Sequence, residues 1–292
     1  MPAGSLDPAA QTDTIADGSF ALIVPPAGGY TVIFTKEGYL PATYFEISAA
    51  ANQTTYIEAV LQIDATHAGI GSIGGTIINA LTGEGVPGLA VELREGLNAT
   101  SGTVVATAPL PTDGAGHYSI TDLPAGNYTA CAYGDGYHST FFSVVCLGGL
   151  MIDNQDGTIT PILPPGQTRL VLTWGEVPAD LDSHLTGPLP DGTRFWLFYY
   201  YLYHPNPWAL YVSLDHDDTT SFGPETTTIL LQIDGVYRFT VHDFTNGNAT
   251  AQSPSFALSN SGALVRVYRD EGLVAKFAVP PNRSGTLWAV FD

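Results

Sequence analysis

The sequence is poor in charged residues, which make up 13% of its 292 residues, about half of the usual ~25%. Basic residues are the scarcest, with 9 Lys and Arg against 28 Asp and Glu and a net charge of −19. Such a chain repels phosphate backbones, so we expect no nucleic-acid partner. Cations are the natural partners, although many of the carboxylates serve only to keep the surface soluble. Low charge with uncharged polar surfaces is typical of extracellular β-proteins and predicts an extracellular or cell-surface location.

Long apolar runs and helical periodicity are also lacking. No segment has 18 consecutive apolar residues, so no membrane-spanning segment is predicted. The 32 Gly and 21 Pro interrupt every apolar pattern of period 3.6. Short runs rich in Val, Ile, Thr, Tyr and Phe lie between turn residues, which predicts many short strands and an all-β fold of sandwich-like domains. The clearest of these runs are Tyr30–Thr35, Gly75–Asn79, Ala90–Arg94, Tyr237–His242 and Ala263–Tyr268.

Cysteine is limited to Cys131 and Cys146. They lie in two successive strand-like segments, 128–133 and 139–147, which we interpret as a hairpin. A disulfide across this hairpin would stabilise the fold by roughly 3 kcal/mol. The alternative is two buried thiols. The chain has no CxxC or Cys/His spacing typical of zinc sites.

A motif occurs twice in the first half of the chain, as a strand, a Pro-Ala-Gly turn and a Tyr-led strand. The first copy is carried by Asp17–Phe20, Pro26–Tyr30 and Glu37–Tyr39, and the second by Asp113–Gly114, His117–Ser119, Pro124–Tyr128 and Asp135–Tyr137. The second copy also contains Gly74–Ile78, Thr82–Gly88 and Ala90–Leu93. The unit resembles the carboxypeptidase regulatory-like domain, which implies a seven-stranded, transthyretin-like (Ig-like) β-sandwich without catalytic activity, common in bacterial surface proteins.

The first copy is shorter than the second, because only 16 residues precede Asp17. Its two leading strands are therefore predicted to be missing, which would expose a strand edge. A strand from a neighbouring subunit would cover that edge. Alternatively, the chain is trimmed there, or residues 1–13 fill one of the positions.

We divide the chain into an incomplete domain (1–63), a complete domain (64–148), a linker (149–167) and an acidic C-terminal β-domain (168–292). The C-terminal domain resembles an uncharacterised bacterial extracellular family that often follows carboxypeptidase regulatory-like repeats. This resemblance is carried by segments 172–175, 180–188, 214–225, 237–243 and 287–291. No established activity comes with it.

The C-terminal domain also contains the candidate metal site. Asp180, Asp182 and His184 alternate with Leu181 and Leu185, which places them on one face of a strand. The remaining candidates are Asp215, Asp217, Asp218, Glu225, His242 and Asp243. Oxygen ligands from several loops favour calcium. The histidines leave zinc or another transition metal open, and a set of turn-capping acids without any metal is the third interpretation.

An aromatic segment, Phe195–Tyr203, with Trp208 just beyond it, is the other surface candidate. If it alternates as a strand, half of its rings face outward, where they would contact glycans or another subunit. The candidates are Trp196, Phe198, Tyr200, Tyr203 and Trp208. Alternatively, the core and the neighbouring domain cover both faces.

No GxSxG, HExxH or P-loop motif occurs, so we expect binding and assembly rather than catalysis. The leading hypothesis is a subunit of an extracellular filament or appendage, a homopolymer joined by donated strands and stabilised by calcium. The alternatives are a monomeric adhesin or carbohydrate-binding array, and accessory domains of a secreted hydrolase.

Overall fold

A computed structural model describes residues 8–16, 18–57, 61, 63–250 and 252–292. Over these residues the regular secondary structure is almost entirely β-strand, as the sequence predicts. Its described helices are the 3-10 turn Ala65–His67 and two four-residue helices, α1 (Tyr200–Tyr203) and α2 (Ala257–Asn260). No helix within the described ranges has the length and apolar character needed to cross a membrane.

The N-terminal segment forms an antiparallel hairpin of β1 (Ala27–Phe34) and β2 (Ala42–Ala49). On one of its faces the ring of Phe34 packs edge-on against those of Phe20 and Tyr44. Residues 8–13 form no strand, and residues 1–7, also predicted to fill a strand position, lie outside the described residues. The described part of the first copy thus contributes two strands to the fold.

The hairpin is attached to the middle of the chain through β2. The backbone N–H of Phe45 donates to the carbonyl of Leu97 over 2.9 Å, and the N–H of Leu97 donates to the carbonyl of Thr43 over 2.8 Å. The Asn98 side-chain amide donates to the carbonyl of Phe45 as well, over 2.8 Å. These bonds fix one edge of the hairpin on the following domain.

The middle domain is a two-sheet sandwich, as predicted. Its strands are β3 (Ile70–Asn79), β4 (Ala90–Glu95), β5 (Ala106–Thr107), β6 (His117–Pro124), β7 (Gly126–Tyr133), β8 (Tyr137–His138), β9 (Thr140–Cys146), β10 (Met151–Ile152) and β11 (Gly157–Pro161). One sheet has the order β5-β4-β7-β9, and the other contains β3, β6, β8, β10 and β11. Alternate side chains such as Ile77 and Leu93 are fully buried between the sheets, as period-two patterning requires.

The predicted linker 149–167 is wrong over most of its length, because β10 and β11 belong to the middle domain. Both strands run parallel to β3. Ile159 of β11 is fully buried in the core. The Gly and Pro residues around these strands mark turns, and turns alone do not distinguish a linker from short strands that return to a sheet.

The predicted disulfide is also wrong, and Cys131 and Cys146 are free buried thiols. The predicted hairpin exists as β7 and β9, but its register pairs Cys146 with Gly126, five residues before Cys131. That offset is roughly 16 Å at ~3.3 Å per residue, whereas a disulfide needs Cα atoms within ~7 Å. The odd offset also places the two side chains on opposite faces of the sheet. The Cys146 thiol donates to the carbonyl of Leu123 over 3.3 Å.

The C-terminal domain is a second complete two-sheet sandwich. Its strands are β12 (Thr168–Thr173), β13 (Leu181–Pro188), β14 (Arg194–Leu197), β15 (Val212–His216), β16 (Glu225–Ile229), β17 (Arg238–Asp243), β18 (Leu264–Arg269), β19 (Gly272–Ala278) and β20 (Leu287–Phe291). The sheets have the orders β15-β16-β12-β18-β19 and β14-β13-β17-β20. Leu172, Phe195 and Phe239 lie in the core between them.

The aromatic segment follows the predicted alternation only as far as Leu197, where β14 ends. Beyond that point Tyr200–Tyr203 form the single helical turn α1. Trp208 packs against the core beside Phe195 and Tyr201. The prediction of Trp208 as a surface ligand residue is therefore wrong.

Candidate metal centre

The candidate metal centre lies at an open edge of β13. This strand pairs with β17 along Leu181–Thr186, but its ladder with β14 begins only at Leu185. Glu225, at the start of β16 in the opposite sheet, reaches the uncovered part. Ser183 donates to Glu225 Oε1 from its backbone N–H over 2.7 Å and also from its hydroxyl. A buried glutamate side chain thus takes the place of the missing strand.

Three carboxylates converge here. The oxygens of Asp182, Asp217 and Glu225 lie within 4.8 Å of one another. Asp182 is 3% exposed and Glu225 is 1% exposed. Burial of charged groups at this density is unfavourable unless they are paired or bind a metal.

Four buried carboxylate oxygens in this region accept no hydrogen bond from the described residues. They are Asp180 Oδ1, Asp182 Oδ2, Asp217 Oδ1 and Glu225 Oε2. No described Lys or Arg forms an ion pair with any of these acids, and the nearest basic group is the imidazole of His242, 3.9 Å from Asp182 Oδ2. The centre therefore has more carboxylate oxygens than hydrogen-bond donors or positively charged groups to pair with them.

The electrostatics of the cluster follow from this deficit. Burial, and then the neighbouring Asp217 carboxylate, raises the pKa of Asp180 to about 6. Burial and the charge of Asp180 raise the pKa of Asp182 to about 7. Burial also raises the pKa values of Asp217 and Glu225 above their ordinary range. A cation would relieve the same desolvation and repulsion that cause these shifts.

Two histidines adjoin the cluster, as the sequence predicts, and His184 and His242 form a second group with Asp182 within 4.8 Å. The Trp196 indole N–H donates to His184 Nδ1 over 3.2 Å. Because an indole can only donate, Nδ1 is the accepting nitrogen and the neutral ring carries its proton on Nε2. Burial, and then His242, lowers the pKa of His184 to about 4, which keeps the ring neutral. In this arrangement His184 has no free lone pair for a metal.

Three predicted ligands, Asp215, Asp218 and Asp243, accept hydrogen bonds from residues outside the carboxylate cluster. Asp215 accepts a hydrogen bond from Thr228 on the far side of the sheet, because the preceding Leu214 faces the core and neighbouring side chains alternate. A bulge after Leu214 then brings Asp217 to the face of the cluster. Asp218 accepts bonds from the N–H and the hydroxyl of Thr220, over 2.7 and 2.8 Å.

Asp243 is fully buried and accepts bonds from the backbone and side-chain N–H groups of Asn246, each over 3.0 Å. It therefore closes a turn, and its charge is among those that, after burial and Asp217, raise the pKa of Asp180. Ser183, in contrast, holds Glu225 in place and was not predicted, because its position in an Asp-Leu-Asp-Ser run is that of a core-facing residue.

The predicted aromatic residues form a surface beside the centre. Trp196 is 52% exposed and stacks on Phe198 with 4.6 Å between ring centroids. Phe198 in turn stacks on His184 at 5.5 Å. Tyr200 and Tyr203 are exposed, and the Tyr203 hydroxyl lies 3.5 Å from Asp217 Oδ2. The exposed aromatic side chains thus lie directly beside the carboxylate cluster.

Comparison with known families identifies the middle of the chain. Residues 72–149 match the carboxypeptidase regulatory-like domain. The middle segment is therefore similar to the carboxypeptidase regulatory-like domain, as the repeated motif predicted. No curated protein matches the chain.

Several solved structures share some similarity with the chain. The major pilin subunit BcpA of Bacillus cereus is 11% identical over 76% of this chain and 69% of its own, with a TM-score of 0.27. The full-length major pilin SpaD from Corynebacterium diphtheriae is 12% identical over 59% and 60%, with a TM-score of 0.26. A carbohydrate-binding protein from Bacteroides uniformis, so described only provisionally, is 14% identical over 76% and 98%, with a TM-score of 0.25. Similarity at this level carries no statement about function.

Proposed function

We propose that the chain is a non-catalytic structural subunit of an extracellular filament or cell-surface appendage, which assembles with copies of itself by strand complementation and is stabilised by calcium. The single observation that carries the assembly is the open edge of β1. Tyr30 and Ala42 precede Tyr128 and Thr140 by the same separation in sequence, so β1 and β2 correspond to β7 and β9.

The complete copy identifies the position that is open in the first. In the middle domain β7 lies between β9 and β4. In the hairpin β1 has β2 on one side, and no strand of the described residues pairs with its other edge. A two-stranded hairpin is marginally stable alone. A strand supplied by a second copy in the position of β4 would complete the sheet by β-augmentation.

Exposed apolar side chains on the N-terminal segment support this assembly. Ile33 of β1 is 61% exposed, and Ile15 and Ile23 before it are also exposed. The described residues 8–57 contribute no cluster of buried side chains of their own, whereas both later domains have extensive cores. A neighbouring copy would bury this surface.

Calcium as the stabilising ion is supported by the ligand chemistry of the metal centre. Calcium takes 6–8 oxygen ligands and tolerates irregular geometry. Asp180, Asp182, Asp217 and Glu225 supply only oxygen, and each has an unpaired buried oxygen atom. The Trp196–His184 hydrogen bond disfavours the transition-metal alternative, because it removes His184 as an imidazole ligand and leaves only His242 to supply one.

The test of assembly is electron microscopy of the purified chain at high concentration, with calcium and with a chelator. The account predicts regular fibres in calcium. Ile33→Lys should abolish them, because it places a charge on the surface that a second copy would cover. The control is Leu210→Lys, at a leucine of the C-terminal domain that is also exposed, which should leave the fibres intact. Dispersed monomers under all conditions would contradict the assembly.

Glycan binding is the second candidate, favoured by the exposed Trp196 ring stacked on Phe198. Aromatic faces of this kind stack on sugar rings. A glycan array probed with the wild-type chain and with Trp196→Ala tests it, and binding lost in the variant supports an adhesin. Trp208→Ala is unsuitable for this purpose because Trp208 packs against the core.

A further inference from the structure

Strand β16 has the metal centre on one of its faces and the middle domain on the other. Glu225 and Thr227 face Ser183 of β13. Thr226, between them, donates from its hydroxyl to the carbonyl of Ala80 in the middle domain over 2.6 Å. Strand alternation makes this arrangement unavoidable, since neighbouring side chains point to opposite faces.

The segment that carries Asp217, at the end of β15, shows the same arrangement. Asp217 faces the metal centre, while the preceding His216 packs against the turn at Gly83 of the middle domain. A Cβ atom added at Gly83 would lie 2.9 Å from His216 Nε2. Asp217 and Glu225 thus each have a neighbour in sequence, His216 and Thr226, that contacts the middle domain.

The surrounding joint is buried and closely bonded. Ala80 and Leu163 pack with Val171 and Tyr268 in a separate buried cluster. The buried Arg169 donates to the Thr160 hydroxyl over 2.8 Å and to the carbonyl of Pro161 over 2.9 Å. A further bond from Arg169 Nε to the Thr228 hydroxyl, 3.0 Å long, ties β16 to the same joint.

We infer that cation binding at the metal centre tightens the joint between the middle and C-terminal domains, with β15 and β16 as the connecting strands. This inference rests on the proposed calcium site. Without a cation, the unfavourable burial of Asp182, Asp217 and Glu225 together weakens the contact between β13 and the two strands that carry the joint contacts. A bound cation holds all three strands together and thereby fixes Thr226 and His216 against the middle domain. The coupling is reciprocal, so a looser joint lowers the affinity for the cation.

Hydrogen–deuterium exchange of the full chain, with calcium and with a chelator, tests the inference. Calcium should slow exchange in segments 212–229 around the ligands. It should also slow exchange at least about fivefold in the joint segments 79–83 and 159–163 of the middle domain, which contain no ligand. Exchange in β7, in the centre of the middle domain, should not respond and serves as the internal reference.

Thr226→Val distinguishes the joint contact from the metal centre. It removes the hydrogen bond to Ala80 but leaves every carboxylate of the metal centre in place. Calcium should still protect 212–229 in this variant but no longer 79–83. Thr103→Val, in an exposed loop of the middle domain, is the matched control and should behave as wild type. Wild-type protection confined to 212–229 would overturn the inference and leave the calcium site standing. Wild-type protection in neither segment would overturn the calcium site together with the inference.

Discussion

Asp182 and Glu225 lie on strands of two different sheets, yet their carboxylate oxygens approach within 4.8 Å in a nearly solvent-free environment. Such an approach would push the sheets apart if both groups were charged and uncompensated. Asp217, the residue directly after β15 in the same sheet as Glu225, adds a third carboxylate. The two sheets of the C-terminal domain thus meet at a point of negative charge, where a divalent cation would join them.

Replacement of Glu225 by Gln should have opposite effects with and without calcium. In chelator the variant should be more stable than wild type, because a buried charge is removed. In calcium at about 100 times the dissociation constant, it should lack the ~2.7 kcal/mol that wild type gains from binding. Thermal unfolding of both proteins in both conditions measures this. Glu84→Gln, at an exposed glutamate of the middle domain, should behave as wild type, and a calcium response retained in Glu225→Gln would exclude Glu225 as a ligand.

The stability of the metal-free protein should depend on pH through the same acids. The pKa of Asp182 is raised to about 7 and that of Asp180 to about 6, whereas both are about 3.9 in an unfolded chain. The folded state therefore binds more protons, so this contribution to stability is lost as pH rises through 6 and 7. In chelator the melting temperature should rise as pH is lowered from 8 to 5.5. Calcium should abolish or reverse that trend, and a chelated melting temperature that increases with pH would contradict the prediction.

Trp196→Phe should change which metals the centre accepts. The substitution removes the indole N–H that bonds His184 Nδ1, so the imidazole becomes free to adopt the tautomer that ligates through Nε2. We expect stronger binding of zinc and unchanged binding of calcium, measured as metal retained after dialysis. Equal zinc retention by variant and wild type would show that the hydrogen bond does not control selectivity.

The cysteines should remain thiols under oxidising conditions. Their positions on opposite faces of the β7–β9 sheet prevent an intramolecular bridge, and burial raises the pKa of both thiols, which slows oxidation. Titration of the unreduced, denatured chain should find both thiols. A chain without free thiols would require a different register for this hairpin.

Local patterns in the sequence were sufficient to predict the fold class and to name the acids that the structure brings together. Gly and Pro spacing identified the strands, and the Asp180–Leu185 alternation identified the face of β13 on which Asp182 lies. The repeated Pro-Ala-Gly turn identified the middle domain. Each of these signals depends on residues within a few positions of one another.

The predictions that proved wrong depend on pairing between distant segments. The register of β7 and β9 separates the cysteines, and neither strand encodes that register locally. The bulge after Leu214 puts Asp217 on the opposite face from Asp215, so that Asp217 enters the cluster and Asp215 does not. The position of β16 against both β13 and the middle domain is likewise a product of tertiary packing, so the double role of segment 225–226 could not be seen in the sequence.

Equilibrium dialysis against calcium, with the bound ion measured by elemental analysis, is the most direct test of calcium binding at the carboxylate cluster. The account predicts saturable binding of about one calcium ion per wild-type chain, lost in Glu225→Gln and retained in Glu84→Gln. Absence of bound calcium at millimolar concentration in the wild-type chain, or equal binding by wild type and Glu225→Gln, would contradict it.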